Sequence, residues 1–283
     1  MPVAVVTDST AYLPPEPVSR YGVTVLPLPV ILSGTEGREG VDVTPADVAN
    51  ALTRRRVQVT TSRLSPAELV ECYRRLLDGG ASGVVSVHIS SKLSGTYEAA
   101  TLAAGEFGGK VRVVDSLSAG MGLGFPVLRA ARDAARGRGL DHVEREASRA
   151  VVRTTTYFYV DTLEFLRRGG RIGAASALVG TALAVKPILH VDEGGLVLRE
   201  KVRTSSRALV RLAELAEAAG HEDEVDVAVH HLAAPEHAAE LGERLRERFG
   251  RRLRELYTSE IGAAVGAHVG PGLVGAVVYR RLD

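Results

Sequence analysis

Hydroxyl-bearing residues cluster at positions 90–96, where an apolar run typical of a buried strand meets a predicted helix. The segment has the sequence SSKLSGT, with four hydroxyls in seven residues. Free backbone N–H groups and the positive end of the helix dipole favour an anionic head group at such a junction. One hydroxyl is expected to cap the helix, but four exceed what a cap requires. The segment alone therefore leaves a helix cap and an anion site as equal alternatives.

Arg171 and His268 are two further residues that could contact an anion. Arg171 follows Gly169 and Gly170, which allow the backbone to approach a ligand closely, and its guanidinium can hold a carboxylate or phosphate with two parallel bonds. His268 falls in the glycine-rich stretch 262–272, which predicts a turn with an accessible imidazole that can donate to an oxyanion. The alternatives are an arginine that complements a helix end and a structural histidine. The glycines beside both residues favour a ligand contact.

The sequence lacks the motifs of the common enzyme classes. It contains neither a GxxxxGK[ST] phosphate loop nor a GxSxG nucleophile elbow, and the glycines at 120–124 lack the spacing of a dinucleotide site. The histidines at 230, 231 and 237 do not have the spacing of a zinc site, so no metal is expected. The single Cys72 excludes an internal disulfide.

Short apolar strands that alternate with amphipathic helices must position these residues. In the first half this alternation predicts a mainly parallel sheet flanked by helices, and ligands bind at the carboxyl ends of such strands. In the second half, hairpins mixed with helices predict an α+β domain. We therefore predict an α/β fold with two closely packed domains, residues 1–155 and 156–283. Residues 60–62 are interpreted as a polar connector, and 259–266 as a helix that ends before His268.

The composition is that of an ordinary globular protein, with 45% hydrophobic and 24% charged residues. The formal net charge of +1 gives no general attraction to nucleic acid. No apolar stretch is long enough to span a membrane, and the start of the chain shows no signal-peptide pattern. A cytoplasmic protein is therefore expected.

Seven segments together resemble, in the same order, the DegV family of bacterial fatty-acid-binding proteins. These segments are residues 7–14, 61–66, 90–97, 114–116, 161–172, 186–189 and 266–272. The match extends through nearly the whole chain. One such motif is weak evidence by itself, whereas seven in a fixed order are highly specific.

The resemblance implies a two-domain α/β protein that encloses one long-chain fatty acid between its domains. It also implies a non-catalytic, acyl-carrying subunit of a bacterial fatty acid kinase. Such a subunit presents the carboxylate to a separate ATP-using subunit with a dihydroxyacetone-kinase-like fold. The product is an acyl-phosphate for phospholipid synthesis. Beyond the fatty acid ligand, the resemblance implies no cofactor.

Matched residue by residue, the resemblance implies contacts to the fatty-acid carboxylate from Thr61, Ser62, Ser94, Gly95, Arg171 and His268. Which of Thr61 and Ser62 faces the carboxylate stays open. Many family members continue with basic residues after Arg203, which suits docking to a kinase subunit. Here residues 204–206 carry hydroxyls before Arg207. Docking of the kinase subunit at residues 201–207 therefore stays open as well.

Two other functions stay open beside this one. The first is an enzyme, either a serine-dependent acyl hydrolase or a small-molecule phosphotransferase, with Ser94 as the nucleophile. It requires an activating base, and the sequence does not place His268 beside Ser94. The second is a lipid-sensing protein without a kinase partner. We hypothesise that no residue of this chain performs the phosphoryl transfer.

Overall fold

The structure is a computed structural model that describes residues 2–53, 59–171 and 185–281. Its first half alternates strands and helices. The strands are β1 (Ala4–Asp8), β2 (Thr24–Leu26), β3 (Pro29–Leu32), β4 (Thr35–Arg38), β5 (Val59–Thr61), β6 (Val84–His88) and β7 (Val111–Asp115). The helices are α1 (Pro15–Tyr21), α2 (Pro45–Thr53), α3 (Pro66–Asp78), α4 (Thr96–Ala104), α5 (Met121–Ala135) and α6 (Leu140–Val152).

The second half of the chain mixes hairpins and helices, as the sequence predicts. Its strands are β8 (Thr154–Tyr159), β9 (Lys186–Asp192), β10 (Gly195–Val202), β11 (Val225–His231), β12 (Leu253–Glu260) and β13 (Val274–Arg280). Its helices are α7 (Glu164–Arg168), α8 (Ser205–Gly220), α9 (Pro235–Phe249) and α10 (Ala263–Val269). No helix in the described ranges has the length and apolar character that a membrane crossing requires.

A parallel sheet of order β2-β1-β6-β7 forms the centre of the first half. All five residues of β6 are buried, because helices cover both faces of the sheet. Helices α3 and α4 pack on one face, and α5 and α6 pack on the other. Continuous apolar strands are typical of a parallel sheet in this setting. The predicted parallel sheet is therefore confirmed.

A six-stranded sheet of order β10-β9-β8-β13-β11-β12 forms the centre of the second half. Its neighbouring strands are antiparallel, except for the parallel pair β11 and β12. Helices α8 and α9 cover one face. Helix α5 packs on the other face through Met121, Phe125 and Leu128, so it lies between the two large sheets. The predicted α/β class is confirmed, and the division of the chain at residue 155 stays a prediction.

Two local predictions from the sequence are wrong, and in both cases the reason is long-range strand pairing. Residues 60–62 are not simply a connector, because Thr60 and Thr61 pair with β3 as part of a third, antiparallel sheet of order β4-β3-β5. The helix predicted at 259–266 begins only at Ala263, because β12 continues to Glu260 by pairing with β11. His268 consequently lies on helix α10 and not in a turn.

Candidate ligand-binding site

A cavity of about 340 Å³ lies between the parallel sheet and the six-stranded sheet. Thr10 and Ile89 line it, so it lies beyond the carboxyl ends of β1 and β6, the edge at which such sheets bind ligands. Its walls are mostly apolar and include Ile89, Leu93, Phe158, Leu196 and Val277. The volume falls within the roughly 300–1,000 Å³ of small-molecule pockets. The cavity therefore suits an apolar ligand of moderate size.

All six residues that the sequence selects line this one cavity. They are Thr61, Ser62, Ser94, Gly95, Arg171 and His268. Strand β5 and its following loop supply the first two, the segment before α4 the next two, and α10 the histidine. The fold thus gathers polar residues from four separate segments into the wall of a mostly apolar cavity.

His268 is held by a hydrogen bond between its Nε2 and Thr61 Oγ1, 2.8 Å long. Its Nδ1 is buried without a partner among the described residues. The ring lies against the backbone of Gly169, where an added Cβ would fall 2.1 Å from Nδ1. A glycine is therefore required at position 169 for the end of α7 to approach the imidazole this closely.

Burial lowers the pKa of His268 to about 4, and the positive charge of Arg171 contributes to the shift. We therefore expect a neutral imidazole at pH 7 that gains its proton only near pH 4. Arg171→Gln should raise this pKa, because it removes a nearby positive charge. Titration of the imidazole by NMR, with His268→Gln for assignment, measures both values. A wild-type midpoint near the ordinary value of about 6.5 would contradict the expectation.

Arg171 spans two segments at the mouth of the cavity. Its Nη1 donates to the carbonyl oxygen of Gly169 at 2.6 Å, and its Nε donates to that of Leu93 at 3.3 Å. In the described part of the chain no carboxylate forms an ion pair with it. Carbonyl acceptors orient the guanidinium without neutralising its charge. Arg171 is therefore available to a ligand anion.

Within the hydroxyl cluster at 90–96, the residues have different roles. Ser90 is fully buried and donates to the carbonyl oxygen of Gly194 at 2.8 Å, so it fastens the β9–β10 turn to the first half. Ser94 Oγ lies 3.0 Å from Thr96 Oγ1 and accepts the Thr96 N–H at 3.3 Å. The cap position of α4 is Gly95, which provides no side-chain cap. Ser94 is the member of the cluster that also lines the cavity.

The geometry does not support a nucleophile at Ser94. Its hydroxyl pairs with Thr96, whereas the imidazole of His268 pairs with Thr61. Thr61 and His268 resemble the hydroxyl and imidazole members of a catalytic triad, but no described carboxylate orients His268 Nδ1. A pKa of about 4 also makes His268 a weak base.

A complete Ser-His-Asp arrangement does occur, but inside the parallel sheet. Ser86 Oγ lies 2.8 Å from His88 Nε2, and His88 Nδ1 lies 2.9 Å from Asp8 Oδ2. Tyr73 donates its hydroxyl to Ser86 Oγ at 2.9 Å. All four side chains are fully buried and none of them lines the cavity. These four residues, the buried relay, therefore have a structural role.

The buried relay ends at the edge of the cavity. Asp8 accepts the backbone N–H groups of Ile89 and Thr10, each at 3.1 Å, and both of these residues line the cavity. Burial opposes ionisation of Asp8, but the hydrogen bonds from His88, Thr10 and Ile89 outweigh it and lower its pKa. The signal for this network was the placement of Ser86 and His88 within an otherwise apolar strand.

Glu39 is a second positioning residue that sequence reasoning missed. Its buried carboxylate accepts the N–H of Ala264 at 2.7 Å, the hydroxyl of Tyr12 at 3.2 Å, and the hydroxyl of Ser9. Burial raises the pKa of Glu39. Because Ala264 lies in the first turn of α10, Glu39 fixes the helix that carries His268. Nothing local in the sequence indicates these contacts.

Comparison with known proteins gives a consistent result. The family model described as an uncharacterised protein of the DegV family matches residues 2–281. A DegV domain-containing protein of Streptomyces coelicolor is 50% identical over 279 residues, which cover 99% of each chain. The solved structure of a fatty-acid-binding DegV family protein from Thermus thermophilus has a TM-score of 0.94 and 36% identity, covering 99% of this chain and 100% of that one. That of DegV, a fatty acid binding protein from Bacillus subtilis, has a TM-score of 0.88 and 33% identity, with the same coverage.

Proposed function

This chain belongs to the DegV family, and from that premise we propose that it binds one long-chain fatty acid in the cavity between its sheets. The observation that carries the proposal is the convergence of five polar side chains and the backbone of Gly95 on the wall of a mostly apolar cavity. Each buried methylene contributes about 0.8 kcal/mol, so an acyl chain suits the apolar walls. The ligand would lie between the two predicted domains, 1–155 and 156–283.

The carboxylate would bind among Thr61, Ser62, Ser94, Gly95, Arg171 and His268. Arg171 would offset the charge of the fatty-acid carboxylate, because no described Asp or Glu side chain neutralises this guanidinium. The hydroxyl of Ser94 and the backbone at Gly95 would donate hydrogen bonds to its oxygens. The sequence leaves open which of Thr61 and Ser62 faces the carboxylate. We propose that it is Ser62, since Thr61 is already hydrogen-bonded to His268.

We further propose that the chain is the non-catalytic subunit of a fatty acid kinase. It would present the carboxylate to a separate, ATP-using subunit with a dihydroxyacetone-kinase-like domain, which forms the acyl-phosphate for phospholipid synthesis. Two observations support this role: the sequence has no phosphate loop, and the described residues pair the Ser94 hydroxyl with Thr96 and not with a base. The proposal places the protein in the cytoplasm, where ATP is available.

Residues 201–207 are the proposed docking surface for the kinase subunit. Lys201, Arg203 and Arg207 are exposed at the end of β10 and the start of α8. The hydroxyl of Thr204 accepts the N–H of Arg207 at 3.2 Å and caps α8. The threonine that departs from the basic pattern therefore has a local structural role, and basic side chains remain on both sides of it.

The ligand is tested by mass spectrometry of lipid extracted from the purified chain. We expect about one long-chain fatty acid per chain. Arg171→Gln should weaken the affinity for the fatty acid about tenfold, because a charge-assisted hydrogen bond is worth about 1.5–3 kcal/mol. Arg167→Gln is the matched control, since Arg167 pairs with Glu164 and lies outside the cavity wall. An extract without fatty acid, or equal binding by Arg171→Gln and the wild type, would contradict the proposal.

The same preparation tests the kinase role. The loaded chain with ATP alone should form no acyl-phosphate, and addition of the ATP-using subunit should produce it. ATP turnover by the purified chain alone would instead indicate an enzyme. Failure of every such kinase subunit to use the loaded chain would favour lipid sensing.

A further inference from the structure

Arg63 lies at the mouth of the cavity, directly after Ser62. Its side chain crosses the backbone at Gly95, where an added Cβ would fall 3.1 Å from both Cδ and Nη1. The guanidinium therefore lies beside Ser94 and the start of α4. No motif of the sequence singled out this residue, and the fatty-acid carboxylate contacts proposed above do not include it.

Arg63 is a second cation at this mouth whose charge is not neutralised. Over the ranges 2–53, 59–171 and 185–281, neither Arg63 nor Arg171 forms an ion pair with a carboxylate. By contrast, Arg167 and Arg168, on the neighbouring helix α7, both pair with Glu164. Two guanidinium groups without a described carboxylate partner thus line one cavity.

The charge of the ligand head group determines whether both cations, Arg63 and Arg171, are needed to neutralise it. A carboxylate carries one negative charge, and Arg171 with the hydroxyls is sufficient for it. A phosphoryl group carries about −1.5 to −2 at neutral pH and presents three acceptor oxygens. Arg63 adds the second cation, and the backbone N–H groups at the start of the nine-residue helix α4 lie on the same side.

We propose that Arg63 is a specificity-determining residue that contacts the phosphoryl group of a phosphorylated acyl ligand, while contributing little to binding of the free carboxylate. The inference rests on the proposed function, because it assumes that an acyl chain occupies the cavity. It assigns different tasks to the two arginines. Arg171 contacts the head group whether it is a carboxylate or a phosphoryl group, and Arg63 contacts only the doubly charged phosphoryl group.

The test compares two stable probes of equal chain length, palmitate and hexadecyl phosphate, each below its micelle concentration. Affinities are measured by calorimetry on the full, delipidated chain with Arg63, with Arg63→Gln and with Arg63→Lys. We expect Arg63→Gln to weaken the binding of hexadecyl phosphate about tenfold, since one charge-assisted contact is lost, and the binding of palmitate less than about twofold. Arg63→Lys should restore most of the phosphate affinity, because it keeps the charge.

Arg168→Gln is the matched control, because this exposed arginine is already paired with Glu164 and lies outside the cavity wall. It should leave both affinities unchanged. If Arg63→Gln lost the same affinity for both probes, or lost no affinity for hexadecyl phosphate, the inference would be overturned and the proposed function would stay intact. A wild-type chain that binds neither probe would overturn the proposed function and this inference with it.

Discussion

Replacing Asp8 with alanine lowers the free energy of unfolding by about 3–5 kcal/mol, because each buried donor left without an acceptor costs about 1–3 kcal/mol. The substitution leaves His88 Nδ1 and the N–H groups of Thr10 and Ile89 without their acceptor. All three donors belong to buried residues, so the substitution leaves buried donors unpaired. The measurement is urea unfolding followed by circular dichroism.

Asp78→Ala is the control for this substitution. Asp78 is exposed at the last position of α3, and surface substitutions of this kind change stability by no more than about 0.5 kcal/mol. A loss below about 1 kcal/mol in Asp8→Ala would contradict the structural role of the buried relay.

The contribution of Asp8 to the free energy of unfolding should also depend on pH. Because the folded-state pKa is lowered, the ionised carboxylate stabilises the fold above the unfolded-state pKa of about 3.9. That stabilisation is lost as the pH falls through the folded-state pKa, since protonation then favours the unfolded chain. The difference in stability between wild type and Asp8→Ala should therefore shrink below about pH 4.

Palmitic acid should bind about three to four orders of magnitude more tightly than decanoic acid. The two acids share one carboxylate and differ by six methylene groups, which together contribute about 5 kcal/mol when buried in an apolar cavity. Competition against a fluorescent fatty acid measures the ratio. Equal affinities would contradict an acyl chain buried in the cavity.

Arg171→Gln serves as the control for the chain-length experiment. It removes a contact to the head group and should weaken both acids by the same factor, because distant, independent interactions add. The ratio between palmitic and decanoic acid should consequently stay unchanged. A ratio that collapses in Arg171→Gln would mean that the head group, and not the acyl chain, determines the difference.

Much of the architecture follows from local pattern. The apolar runs that became β1, β6 and β7 predict a parallel sheet because both faces of such a strand are buried. Residue types and spacing singled out the hydroxyl cluster with Ser94, Arg171 and His268, whereas Thr61, Ser62 and Gly95 were added through the family resemblance. Spacing alone would not have joined Thr61 to His268, which lie 207 positions apart in the chain.

The parts that local pattern could not predict depend on distant partners. Strand β5 has three residues, too few for a periodic signal, and is a strand because it pairs with β3. The start of α10 is set by the length of β12, which in turn depends on its pairing with β11. Glu39 reaches Ala264 across 225 positions, so no window of sequence contains that contact.

Helix α5 gives one face to each of the two large sheets, with Leu123 and Val127 towards the parallel sheet and Phe125 and Leu128 towards the other. It is therefore a shared component of two hydrophobic cores. Loosening either sheet removes support from the other through this helix, which favours a single cooperative unfolding transition for the whole chain. A ligand held between the sheets would then raise the melting temperature of both halves together.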